Sequence, residues 1–131
     1  MTSGEQDDSR CSKKASFFSA ISMMCEIDYG AALKRHYDQG PPDDWHEQFI
    51  SAYASAHPAE DWAESWGHYL HIYDALDTAA SHGLIYRGPQ DMEIAERIAL
   101  WRDLSVTLNE LNRSVGNHDA YPFVLNAAVE R

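Results

Sequence analysis

The chain has 131 residues, 44% of them hydrophobic and 11% aromatic, which is enough for one domain with its own core and too apolar for a disordered segment. A formal charge of −11 argues against nucleic acid, which selects basic surfaces. Two cysteines, Cys11 and Cys25, exclude a disulfide framework and a four-cysteine zinc module, and make a reducing, cytoplasmic setting the default.

Residues 1–27 read as a separate leader, polar and serine-rich, ending in the apolar run SFFSAISMMCEI from Ser16 to Ile27. Phe17, Phe18, Ile21, Met24 and Ile27 recur there at near-helical spacing, so a loose start and one short helix are expected. The run is too short for a membrane span. It also follows an acidic stretch and lacks a small-x-small cleavage site, unlike a signal peptide.

From Asp28 the pattern tightens. YGAALKRHYDQ predicts a helix stopped by Gly40, with Pro41 and Pro42 barring continuation. DDWHEQFISAYASA predicts a second, because Trp45, Phe49, Ala52 and Tyr53 recur at helical spacing. A third helix begins at Pro58, suited by its fixed φ to the first helical position, and runs to a stop near Gly83. After the loop GLIYRGPQD, the residues Ile94, Ile98, Trp101, Leu104, Leu108, Leu111 and Val115 step by three and four up to Gly116, an amphipathic fourth helix. YPFVLNAAVER predicts a last helical piece from Pro122. No stretch alternates with period two for long, so the fold expected for residues 28–131 is all-α, with four to five helices.

The third helix carries the chemistry. At about 100° per residue, His57, Glu60, Asp61, Glu64, His68 and His71 share one arc. Trp62, Trp66, Tyr69, Leu70 and Tyr73 gather opposite, a face expected to bury itself against the rest of the domain. Between Arg35 and Arg87 there is no Lys or Arg but there are nine carboxylates, a field that favours cations, metal ions included. A solvated reading competes with this. Glu60 and Asp61 offset the helix dipole in the first turn, and Glu64 with His68 is an ordinary i, i+4 pair.

The blocks DYGAALKRHYDQGPPDDW, FISAYASAHPAEDWAESWGHYLHIYDALDTAASHGL and LNELNRSVGNHDAYPFVL resemble the bacterial zinc-binding metallopeptidases, a gluzincin-like family, from residue 28 to about residue 125. The resemblance implies a zinc-dependent hydrolase of peptide bonds, with a peptide or protein as substrate and Glu60 as the third zinc ligand. Glu64, one turn beyond Glu60, is placed to accept a hydrogen bond from a ligand histidine and fix its tautomer. EDWAESW is also similar to the third-ligand helix of the anthrax lethal factor type, where a tyrosine seven residues before the ligand stabilises the oxyanion. Tyr53 stands seven residues before Glu60, and a core aromatic is the competing reading of it. His68 lies about 12 Å of helix rise beyond Glu60, too far to share an ion with it. A group behind the ligands or on the substrate side, or a buried hydrogen-bonded histidine, are its readings.

The HExxH helix of that family has no counterpart in these residues. His46-Glu47 begins like one, but Ile50 stands where the second histidine belongs, and residues 1–27 hold no histidine. Cys11 and Cys25 are fourteen apart and cannot share a helix turn. The chain is therefore expected to be the C-terminal part of a gluzincin-like domain, inactive alone and doubtful as a zinc binder. The alternative is a non-catalytic α-helical interaction or regulatory protein. With its partner helix gone, the groove is expected to favour marginal stability or self-association.

Overall fold

The computed structural model describes residues 27–129, which form four α-helices and two 3-10 turns and contain no strand. The predicted leader helix lies outside these residues, save Ile27. Helix α1 spans Tyr29–Gln39. Asp28 caps it by accepting from the Ala31 N–H at 2.8 Å, and it ends at Gly40, whose φ of 80° is left-handed.

The second predicted helix is broken. Only Trp45–Gln48 (α2) is helical; Phe49 is extended, and a 3-10 turn follows at Tyr53–Ala56. The physical cause is local. Ser51 Oγ accepts the Ala54 N–H at 3.1 Å and donates to Glu64 at 2.8 Å, giving the backbone an alternative to the helical ladder. Ile50 is then turned inward, 2% exposed.

Helix α3 spans Pro58–Ser81 and α4 spans Ile94–Ser114. At the end of α3 the Leu84 N–H reaches Ala79 O and the Gly83 N–H reaches Ala80 O, a Schellman closure that needs the positive φ of Gly83. Between the helices, the 3-10 turn Pro89–Asp91 is fixed by the fully buried Pro89. A reciprocal capping box between Glu93 and Glu96 starts α4.

The core sits between α3 and α4. Ile72, Leu76, Trp101 and Tyr121 are buried together, with Leu100, Leu104, Leu108 and Leu125 packed around them. The predicted stripe of α4 is thus buried in its middle, while Ile94, Leu111 and Val115 at its ends are exposed.

The expected helix at Pro122 is absent; residues 117–126 lack helical structure, and a turn follows. Side chains of α4 hold this segment by its backbone. Asn109 donates to Tyr121 O and accepts the Tyr121 N–H, both at 2.9 Å. Asn112 donates to His118 O, Arg102 donates to Leu125 O, and Arg113 pairs with Asp119. A backbone satisfied by these amides and guanidinium groups has no need of helical bonds.

The aromatic face of α3 also departs from expectation. Trp62 is 53% exposed and Trp66 49%, stacked on each other with ring planes 8° apart. The docked face in the first turns is the polar one: Glu60 accepts from Tyr29 of α1, Glu64 accepts from Ser51 just before the 3-10 turn, and His57 lies against Ile27 O, while Asp61 finds Ser65 on its own helix.

Candidate functional site

Three elements meet at the start of α3. Asp28 fixes the start of α1, so Tyr29, Ala32, Arg35 and His36 fall on the helix face turned toward the Tyr53–Ala56 turn, and Ala32 is buried there. Tyr29 donates its hydroxyl to Glu60 Oε1. Tyr53 comes from the turn and interacts through its phenol with both Tyr29 and Glu60.

His57 anchors the arrangement. It is 4% exposed and serves as the N-cap of α3. The Ala59 N–H donates to its Nδ1 at 3.0 Å, so the ring proton of the neutral form sits on Nε2, which faces Ile27 O at 3.3 Å. Its ring meets Tyr29 edge-on at 5.1 Å, and His36 meets Tyr53 similarly at 6.0 Å.

The electrostatics follow from Glu60. Its hydrogen bond, with some burial, pushes the Tyr29 phenol up to about 12. Burial and the charge of Glu60 push Tyr53 up as well. Both phenols therefore remain protonated donors through the neutral range.

Glu64, one turn along, accepts from Ser51 and so ties α3 to the loop before the 3-10 turn. Asp61 is half-buried, which raises its pKa against the opposing effect of the Ser65 hydroxyl. His68 points elsewhere. Its Nδ1 shares a hydrogen bond of 2.8 Å with the Tyr121 hydroxyl, and Phe123 packs edge-on at 4.4 Å. Burial lowers the His68 pKa, Glu64 works against that, and His71 adds to it. Burial also raises Tyr121 to about 12.

The structure thus brings Tyr53 and Glu60 together, puts Glu64 at their margin, and assigns His68 to the packing of the C-terminal segment. Tyr29, His57 and Ser51 were not singled out from the sequence for these contacts. The spacing of Tyr29, Ala32 and His36 on one face of α1 is the signal that could have found the first.

Among the described residues, no group of three His, Cys, Asp or Glu side chains comes close enough to hold a metal ion. Glu60 is one oxygen donor, and a zinc centre needs three protein ligands. These residues do not complete a zinc site. Nor is any helix among them long and apolar enough to cross a membrane.

The described residues thus form an all-α domain that holds the Glu60 carboxylate beside two phenols at a helix start. The sequence model of the family described as "Putative zinc-binding metallo-peptidase" matches residues 8–131, and the chain belongs to that family. It is 50% identical over 113 residues to uncharacterised proteins of Mycobacterium bovis and of two Mycobacterium tuberculosis strains. The match covers 79% of this chain and 33% of each relative, so the chain spans a third of their length. No solved structure matches it.

Proposed function

We propose that this chain supplies the third-ligand wall of a zinc-dependent peptidase acting on peptides or proteins, with Glu60 as its metal ligand. The observation that carries the reading is the convergence of Tyr29, Tyr53 and Glu60 from three separate elements, in a chain of a zinc-binding peptidase family. The other ligands and the general base come from residues outside those described. Tyr29 orients the Glu60 carboxylate. Tyr53, kept protonated by burial and by Glu60, donates to the oxyanion that forms when a peptide carbonyl is attacked, a contribution of a few kcal/mol in sites of this kind. Glu64 steadies the helix through Ser51, and His68 acts at a distance by holding Tyr121. The paucity of cysteine fits a cytoplasmic setting.

The test is zinc content and peptide hydrolysis of the protein isolated from its own cells, with and without a chromosomal Glu60→Ala change. Stoichiometric zinc that is lost in the variant supports the reading; zinc that is absent, or unaffected by the change, refutes it.

A second reading is a non-catalytic helical interaction protein that self-associates or binds a partner. The exposed Trp62 and Trp66 stack favours it. Native protein without zinc but with a stable larger hydrodynamic size would select it.

A further inference from the structure

Every described Lys and Arg but one has a partner. Lys34 pairs with Asp38, Arg87 with Glu96, and Arg113 with Glu110 and Asp119, while Arg97 and Arg102 donate to backbone carbonyls. Arg35 makes no hydrogen bond or ion pair among the described residues. This is not for want of carboxylates, since nine lie between it and the next Arg or Lys. Its side chain is exposed, three residues along α1 from the buried Ala32.

Arg35 stands between two cavities. One, of about 600 Å³, is walled by Phe49, His57, Asp61, Trp62 and Val129 as well as Arg35. The other, of about 350 Å³, is walled by Arg35, His36, Gln39, Asp43 and Ser55. Both volumes fall in the range of small-ligand sites, where apolar walls carry a few placed polar groups. Each cavity holds an aspartate, Asp61 or Asp43, but neither pairs with Arg35; Asp61 is steadied by Ser65 instead.

From this we propose that Arg35 is the carboxylate-recognising residue of a peptide subsite in the larger cavity. A guanidinium offers a planar fork that matches a carboxylate at two points, and Arg35 presents one at the cavity wall without a carboxylate partner among the described residues. The ligand class is a peptide bearing a carboxylate next to an apolar or aromatic residue. The carboxylate meets Arg35, and the apolar group lies against Phe49 and Trp62. That the subsite serves hydrolysis rests on the peptidase reading; that it binds carboxylates does not.

The experiment uses the full chain, without metal, at low salt. Two probe pairs are titrated while the indole N–H of Trp62 is followed by NMR. Acetyl-Ala-Phe as free acid is compared with its amide, and acetyl-Ala-Phe-Glu-Ala-amide with its Gln analogue. At least one acid binds roughly tenfold more tightly than its neutral partner, as a charge-assisted pair should. Arg35→Met abolishes that difference and leaves the neutral probe unchanged, while Arg35→Lys keeps part of it. The pair that shows the preference tells a C-terminal carboxylate from an acidic side chain. Equal binding of acid and neutral probe, a preference that survives Arg35→Met, or no saturation by either acid overturns the proposal. None of these results bears on zinc retention by the native protein, so the two readings fail separately.

Discussion

Asn109 is the residue on which the position of the C-terminal segment turns, and Asn109→Ala is expected to cost about 2–4 kcal/mol of stability. Its side-chain amide pairs with the Tyr121 backbone as a strand neighbour would, donating to the carbonyl and accepting from the N–H, both at 2.9 Å. A net hydrogen bond is worth about 0.5–1.5 kcal/mol, and a buried group left without a partner adds about 1–3 kcal/mol. Tyr121 is only 8% exposed, so water replaces the lost partners poorly. The assay is urea unfolding followed by far-ultraviolet circular dichroism, together with hydrogen exchange at the Tyr121 amide. Asn109→Asp is the control. It keeps an acceptor for the Tyr121 N–H but sets a carboxylate against the Tyr121 carbonyl, so it should destabilise at least as much. A loss under about 0.5 kcal/mol in the alanine variant, with the Tyr121 amide still protected, would show that core packing alone seats the segment.

Glu60→Gln removes the charge that holds the Tyr29 proton and leaves only a neutral amide oxygen as acceptor, so the Tyr29 pKa should fall from about 12 toward its ordinary value of 10.0; phenolate absorbance of this variant with and without Tyr29→Phe measures it, and an unmoved value would mean that the Glu60 charge does not act on Tyr29 in solution. The native state disfavours protonation of His68, whose ordinary pKa is 6.5, so below that pH the unfolded chain binds the extra proton first and stability falls until the native pKa is passed. Thermal melts from pH 7.5 to 5 should therefore decline less steeply in His68→Gln, and parallel curves for the two proteins would contradict this account.

The helices were legible where periodicity and punctuation agreed. Asp28 and Gly40 bound α1 as expected, and Pro58 and Gly83 do the same for α3. Legibility failed where side chains took over the backbone. Ser51 draws the Ala54 N–H out of a helix whose apolar spacing was intact, and Asn109 holds the Tyr121 backbone in non-helical structure although Pro122 could start a helix. In both cases the deciding partner is remote, Glu64 for Ser51 and α4 for Tyr121, so no local window contains it. In the site, it was the resemblance to a known third-ligand helix that related Tyr53 to Glu60, seven residues apart on adjoining elements. Tyr29 is 31 residues from Glu60, and only the tertiary fold joins them.

The inversion of α3 bears on what its acidic wall can do. Burying Trp62 and Trp66 would remove more apolar surface from water than burying carboxylates, yet the polar face of the first turns is the one that docks. Its contacts are of one kind. Glu60 accepts from the Tyr29 hydroxyl, Glu64 from the Ser51 hydroxyl, and Asp61 is steadied by the Ser65 hydroxyl. None of the three is paired with Lys or Arg among the described residues. A carboxylate satisfied by a guanidinium has its charge cancelled. One satisfied by a hydroxyl is oriented but not neutralised, and its second oxygen remains open to a cation. Arg35, the one described cation on the face of α1 turned toward this wall, stays out of it and lines the cavities instead. The wall thus keeps its negative charge uncancelled by any Lys or Arg among the described residues, so removing that charge at Glu60 should be felt first by the Tyr29 phenol that leans on it.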